Sequence, residues 1–323
     1  MSMAEKLKLA MYWAASCGGC EISIVDLNEK ILDVIKVADF VFWPVAMDFK
    51  YSDVEAMPDK FIDVCLFNGA IRSSENEHIA HLLRRKSKIL IAYGACAYNG
   101  GIPGLANITN RQGMFDTVYK TISTNQNTLP KISARVPEGE LELPQLYDTV
   151  KSLAQVVDVD YYVPGCPPAP KIVEASIDAI ASGKLPPKGS VIGPSKALCE
   201  ECPREKTDKK ITAMKRTFEG MPDTKKCLLE QGYLCMGPAT REGCGTPCIN
   251  ANMPCTGCSG PADDVTDQGA KMMSALTSVL ALEGEENVSE ENVLKMIQEF
   301  PDPMGVFYKY TMPTSTLKRR VMK

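Results

Sequence analysis

The residues with the widest chemical range in this 323-residue chain are its 13 cysteines. Cys17, Cys20, Cys65, Cys96, Cys166, Cys199, Cys202, Cys227, Cys235, Cys244, Cys248, Cys255 and Cys258 could form disulfides, bind zinc, hold iron–sulfur clusters or fill a core as small hydrophobes. The opening MSMAEKLKLAMYWAAS has too short an apolar run for a signal peptide and no twin-arginine pair. The expected compartment is therefore the cytoplasm, where thiols stay reduced. Cys65 lies within the apolar run Ile62-Asp63-Val64-Cys65-Leu66-Phe67 and is read as core. The other twelve divide into three sets of four. Thiolate tetrads suit zinc and iron–sulfur clusters alike, so their placement has to decide.

Placement follows from the elements around them. Lys6–Ala14, Phe40–Trp43, Ile62–Phe67, Lys88–Tyr93 and Val157–Val163 read as short buried strands. Glu21–Val34, Glu75–Arg85 and Pro168–Ser182 carry apolar residues at helical spacing. Strands alternating with helices imply βαβ units and a parallel sheet covered on both faces. Asn107–Pro144 is expected to hold a helix and a long insertion, and Gly183–Gly193, rich in Gly and Pro, reads as a linker. Ala197–Asp264 then holds eight cysteines with almost no apolar periodicity, so bound metal is expected to organise it. Helices are expected over Val265–Glu283 and Ser289–Phe300, and the basic tail Leu317–Lys323 reads as a solvated or partner-facing end.

In an open α/β sheet, ligands sit beyond the carboxyl ends of the strands. Three predicted strands end there in cysteine: Lys6–Ala14 runs into Cys17-Gly18-Gly19-Cys20, Lys88–Tyr93 into Gly94-Ala95-Cys96, and Val157–Val163 into Pro164-Gly165-Cys166-Pro167-Pro168. Parallel strands bring these turns to one sheet edge, where four thiolates can converge. Gly18 and Gly19 allow close backbone approach to a bulky group. A turn leading into a helix also supplies oriented N–H groups for thiolate charge.

Composition narrows the function classes. Hydrophobic residues make up 45% and charged residues 24%, with a net charge of −4 and no clustered basic patch, so no nucleic-acid groove is expected. No apolar run reaches membrane-spanning length, so no membrane span is expected.

The quoted turns, together with Asn99-Gly100-Gly101-Ile102-Pro103, closely resemble small subunits of nickel–iron hydrogenases, in the same order and at similar separations. The later cysteine-rich segment is similar to that family's second domain. The resemblance implies a flavodoxin-like, doubly wound parallel sheet over residues 1–188 and a largely irregular and helical iron–sulfur domain over residues 189–323. It implies three 4Fe-4S clusters: proximal on Cys17, Cys20, Cys96 and Cys166, medial on Cys244, Cys248, Cys255 and Cys258, and distal on Cys199, Cys202, Cys227 and Cys235. Many family members have His where Cys199 stands, and some have Pro where Cys248 stands. The nickel–iron centre would lie on a separate large subunit, since the chain has no cysteine after Cys258.

Adjacent Cys-Cys, found in the related quinone-reductase subunit of respiratory complex I, is replaced here by Cys17-Gly18-Gly19-Cys20. The ferredoxin ending of deazaflavin-reducing hydrogenases is absent. The branch most resembled is the viologen-reducing, deazaflavin-non-reducing hydrogenase of methanogens, which implies electron flow to heterodisulfide reductase through a small iron–sulfur adaptor subunit. A cytosolic sulfhydrogenase is the nearest rival. From other classes the rivals are a structural zinc module on a flavodoxin-like domain and a flavin enzyme with an appended ferredoxin.

No side chain is expected to act as a catalytic acid, base or nucleophile. Glu21 reads as a solvated carboxylate at a helix N-terminus, with a place near a proton exit as its functional alternative. Asn68-Gly69-Ala70 is expected on the same sheet edge, against the proximal cluster or the large subunit. His78 and His81 read as an exposed helix face, and Met272-Met273 as core.

Overall fold

A computed structural model describes residues 6–121, 129–131, 133–207, 211, 213–280, 298, 300 and 302–319. The first half is built on strands β1 (Leu7–Trp13), β2 (Ala38–Phe42), β3 (Ile62–Asn68), β5 (Ser87–Tyr93) and β9 (Tyr161–Val163). They pair side by side in the order β2-β1-β3-β5-β9, all parallel. Counted within the sheet this is 2-1-3-4-5, the flavodoxin-like order. Side chains alternate across it: Leu9 and Met11 of β1 pack into one apolar layer, Ala10 and Tyr12 into the other. Burial on both faces is why these strands read as nearly unbroken apolar runs.

Helices α1 (Gly19–Val25), α2 (Ile31–Val37) and α7 (Pro170–Ser182) give Ile24, Val34, Ile172 and Val173 to the first layer. Helix α4 (Ser74–Lys86) gives Ile79, Ala80, Leu82 and Leu83 to the second. Each fully buried aliphatic side chain stabilises the fold by roughly 1.5–3 kcal/mol. The predicted helix Glu21–Val34 is two helices, because Asn28 adopts φ 52° between them. The predicted insertion contains α6 (Arg111–Lys120) and an exposed hairpin of β6 (Ser133–Val136) and β7 (Gly139–Glu142), and just after it β8 (Leu146–Lys151) pairs antiparallel with β4 (Ile71–Ser73).

The Gly/Pro-rich linker segment is tied to the sheet. Tyr162 N–H donates to Ser190 O and Ile192 N–H to Tyr162 O, so Val191 runs beside β9. The amino-terminal end of β9 is fixed by Asp160, whose carboxylate accepts from Arg84 at 2.6 Å, Lys188 at 2.5 Å and the Leu90 N–H at 2.8 Å.

Among its described residues the second half has little regular structure apart from helices α8 (Pro247–Asn250) and α9 (Gln268–Val279) and the short helix Pro303–Phe307. It nevertheless encloses an apolar core of its own, which the sequence pattern did not anticipate. Leu198, Leu228, Leu229, Tyr233, Met236 and Ile249 join Met272 and Leu276 of α9 and Phe307, Tyr308 and Met312 near the carboxyl end. Met272 is fully buried as expected, whereas Met273 is exposed. The predicted helix Ser289–Phe300 lies almost entirely outside the described residues.

The carboxyl-terminal segment crosses back onto the first half. Gly101 N–H donates to Tyr310 O, the Gln155 side chain to Pro313 O and the Asn107 side chain to Lys318 O. Pro313 fits against Gly100 and Gly104, where a Cβ would meet its ring at 2.2 and 2.5 Å. Arg319 bonds Thr149, so this part of the basic tail is docked, while Leu317 is exposed.

Candidate metal centres

Register sets the first site. Trp13 pairs with Asn68, Asn68 with Tyr93, and Tyr93 with Val163, so four strand ends stand in line. Past Trp13 the chain turns through exposed Cys17 and left-handed Gly18 into α1, which carries buried Cys20. Beyond Tyr93, Gly94 opens the short helix α5 (Ala95–Asn99) with buried Cys96. After Val163 comes the turn bearing half-buried Cys166. Gly94 N–H donates to Val163 O and Ala95 N–H to Gly165 O, locking the last two turns together.

Glycine makes room for sulfur here. A Cβ at Gly94 (φ +86°) would lie 2.3 Å from Cys20 Sγ, and one at Gly101 (φ +55°) 2.5 Å from Cys96 Sγ. The four thiols share one electrostatic neighbourhood. Burial pushes Cys96 up to about 11, with Cys17 adding to the shift, against hydrogen bonds from Ser16 and the Ile102 N–H. Burial raises Cys166 to about 12, followed by the charges of Cys96, Cys258 and Cys17. Cys20 is raised further, by burial and then by Cys96, Glu21, Cys166 and Cys17. Four thiolates in such a place require positive charge among them.

Cys199, Cys202, Cys227 and Cys235 line a single cavity of about 420 Å3. Gly237 leaves space there: its Cβ would lie 3.3 Å from Cys199 Sγ and 3.6 Å from Cys235 Sγ. The other four form a looser group. Cys244 and Cys258 each feel the charge of Cys248, and Cys255 feels that of Cys235 and then Cys258. The groups touch in sequence. The Cys166 backbone lies beside Cys258 and favours its charged form, and Cys235 Sγ accepts the Cys255 N–H at 3.4 Å. Neighbouring contacts thus lead from the strand-end thiols through Cys258 and Cys255 to the cavity thiols.

Among the described residues no group of three or more His, Cys, Asp or Glu is placed to hold a single metal ion. Donor sets made of sulfur alone, with glycine clearance and N–H groups aimed at the sulfurs, fit polynuclear iron–sulfur cages, which hold their thiolates further apart than one ion does. Cys65 is buried in β3, away from all twelve, its thiol pushed up to about 12 by burial.

Residues 17–180 match the family described as NADH ubiquinone oxidoreductase, 20 Kd subunit. Over 98% of its length the chain is 42% identical to the iron-sulfur subunit of the F420-non-reducing hydrogenase of Archaeoglobus profundus, covering 99% of that protein. It is 39% identical to the corresponding F420-non-reducing hydrogenase subunit of Methanothermobacter thermautotrophicus, with 99% of each chain covered. The chain belongs to this family of hydrogenase subunits. A chain of the [NiFeSe]-hydrogenase of Dm. baculatum shares the fold, with a TM-score of 0.50 at 18% identity over 81% of this chain and 96% of that one.

In this hydrogenase subunit, one sequence expectation about the first site is overturned. Glu21 is only 3% exposed, so it is no solvated carboxylate. The strand register brings Asn68 beside it, and the Asn68 amide donates to Glu21 Oε2 at 2.8 Å while Oε1 has no partner. Burial raises the Glu21 pKa, and the Asn68 hydrogen bond opposes the shift. Asn68 thus stands on the expected sheet edge, and Ala70 packs against Cys96.

Two residues beside the thiols carry no spacing signal. The Tyr310 hydroxyl, hydrogen-bonded to Thr256, is raised to about 12 by burial and then by Cys258, Cys166 and Cys248. Arg204 stands in the wall of the Cys199 cavity. His78 and His81 are exposed, as expected of their helix face. No helix among the described residues is long and apolar enough to cross a membrane.

Proposed function

We propose that this subunit is the electron relay of a nickel–iron hydrogenase, with residues 1–188 as a flavodoxin-like domain and residues 189–323 as an iron–sulfur domain. The three thiol groups would hold three 4Fe-4S clusters: proximal on Cys17, Cys20, Cys96 and Cys166, medial on Cys244, Cys248, Cys255 and Cys258, and distal on Cys199, Cys202, Cys227 and Cys235. What supports this reading is the run of Cys166–Cys258 and Cys255–Cys235 contacts that connects the cysteine groups.

When bound, the clusters supply one-electron carriers. The chain supplies their spacing, their burial and the N–H groups that set sulfur charge. Ile102 and Gly237 N–H groups serve the first and last sites, while Gly257 N–H donates to Cys255 Sγ at 3.4 Å.

Two exposed apolar surfaces support partners. Beside exposed Cys17, Trp13, Ile22 and Val25 present apolar side chains, a face suited to the large subunit that holds the nickel–iron centre. On the second, Phe218 (82% exposed) and Met221 (89%) stand on a loop between Lys215-Arg216 and Lys225-Lys226. That loop is pinned to the distal cysteine segment by Tyr233 OH to Gly220 O, Lys215 N–H to Gly232 O and Asp223 N–H to Gln231 Oε1. It suits an electron acceptor with an acidic rim, such as a small iron–sulfur adaptor subunit leading to heterodisulfide reductase. The F420-non-reducing name of both relatives favours this branch over a sulfhydrogenase.

The test is metal analysis and low-temperature EPR on the complex purified anaerobically from its host. The expected result is a brown protein with about twelve irons on this chain and reducible cluster signals. Cys202→Ala should remove about four irons and Cys199→His should retain them. Zinc in place of iron, or tightly bound flavin with no cluster on Cys17, would overturn the reading.

A further inference from the structure

The cavity lined by Cys199, Cys202, Cys227 and Cys235 also has a guanidinium in its wall. Arg204 is 7% exposed. Its Nη1 donates to Asp223 O at 2.7 Å and Lys226 O at 3.0 Å, and its Nη2 to Ile249 O at 3.1 Å and Asn252 Oδ1 at 2.7 Å. Its Nε is buried with no partner. Every acceptor it meets is neutral, and no carboxylate among the described residues pairs with it. Half-buried Arg72 also has a buried Nε without a partner and donates to Met114 Sδ, but it does not line this cavity; two other arginines are paired. Arg84 pairs with Asp160 at 2.6 Å, and fully buried Arg241 pairs with Asp263 at 2.5 Å.

A guanidinium stays protonated at every working pH, and a buried charge without a counterion is strongly unfavourable. Four thiolates in the same cavity are the available compensation. The other cation lining the cavity is Lys206, whose charge acts on Cys199 from an exposed position. The Lys206 ammonium is exposed and bonds Cys199 O at 2.9 Å, and Glu230 accepts from the backbone and side chain of Thr207.

We propose that Arg204 is the fixed counterion of this four-cysteine site, a positioning residue that stabilises the reduced, more negative form of the cluster held there and so raises its midpoint potential above what the same ligands would give alone. This rests on the relay reading above. Among the three sites it makes the last one the most favourable resting place for an electron waiting to leave the chain. Lys206 adds a second positive charge that acts on Cys199, but it is exposed and therefore screened by water and salt, whereas Arg204 is not.

The experiment is a potentiometric titration followed by EPR on the intact complex carrying Arg204→Gln, Arg204→Lys or Lys206→Gln, with iron counted in each. Arg204→Gln is expected to lower one midpoint by at least a tenfold change in the oxidised-to-reduced ratio, about 59 mV for one electron, with the other two unmoved. Arg204→Lys keeps the charge and loses the four-bond fork, so its midpoint should stay near the starting value. Lys206→Gln should give a shift that fades with salt, whereas the Arg204→Gln shift should persist. Three unmoved midpoints in Arg204→Gln at full iron content would overturn the proposal. If Arg204→Gln fails to load that site, Arg204→Lys decides. Loading at the original potential supports the charge role, and failure of both variants reduces Arg204 to a hydrogen-bond scaffold. Absence of cluster signals from the unsubstituted complex would instead overturn the relay reading itself.

Discussion

The first half of the chain positions its cysteines with a sheet, and the second half positions its own with turns. In the first, the cysteine turns hang from strand ends whose backbones are already hydrogen-bonded, and the layers beneath are filled by Met11, Phe67, Ile91 and Leu83. Only Cys20 and Cys65 among the first five cysteines pack into those two layers. In the second, Cys235 and Cys255 belong to the core itself, with Cys202, Cys227 and Cys244 packed against it. A site mounted on a scaffold survives the loss of its ligand, whereas a core built from ligand residues depends on it. The two halves should therefore respond differently to the same treatment.

Iron depletion should show the largest difference. Protein produced without iron is expected to open between about residues 196 and 264 while the sheet half stays closed, because metal binding energy is folding energy where ligands are core. Limited proteolysis with mass mapping would read this as cleavage confined to the second half. Equal protection of both halves in iron-free protein would break the comparison. Gly94→Ala probes the scaffold side. Its Cβ would lie 2.3 Å from Cys20 Sγ at a φ of +86°, so sulfur or backbone must move. The variant should keep the fold and lose about four irons and one cluster signal. Unchanged iron would show that the first site tolerates displacement of Cys20.

This same difference decided what could be read in the sequence. Strands β1, β3 and β5 were legible because burial on both faces leaves apolar runs, and three of the cysteine turns were legible because a parallel sheet must deliver strand ends to one edge. Strand β9 proved only three residues long, since Asp160 is spent on Arg84 and Lys188 before pairing starts. Glu21 was misread because an acidic residue in a helix's first turn is ordinarily favoured in water, and only the register of β1 against β3 reveals Asn68 above it. The core of the second half was illegible for a related reason. Its apolar residues come from turns, from α9 and from the returning carboxyl-terminal segment, so no window of sequence contains a period. Arg204 gives no signal at all, because its significance lies in a missing carboxylate.

The smallest expected effect sharpens the comparison from the scaffold side, by weakening the sheet without touching a thiol. Asp160 is buried where Arg84, Lys188 and the Leu90 N–H converge, at the start of the strand that delivers Cys166. Burial works to raise its pKa, but the hydrogen bonds from Arg84, Lys188 and Leu90 outweigh it and hold the carboxyl below its ordinary value. A depressed folded-state pKa means stability present above the unfolded value of about 3.9 and lost as pH falls through the lower folded value. Asp160→Asn leaves the Arg84 guanidinium without its carboxylate and should cost about 3 kcal/mol near neutral pH. The gap from the unsubstituted protein should hold constant above about pH 5 and narrow below about pH 4. Iron content should stay unchanged where the fold persists, since the sheet tolerates this loss and no cysteine moves out of its layer. Denaturation of the two proteins across pH 3–7, with iron counted at each point, separates the outcomes. A gap independent of pH would remove the Asp160 charge from the account, and iron lost in step with stability would mean that the first site is as much a part of its core as the second.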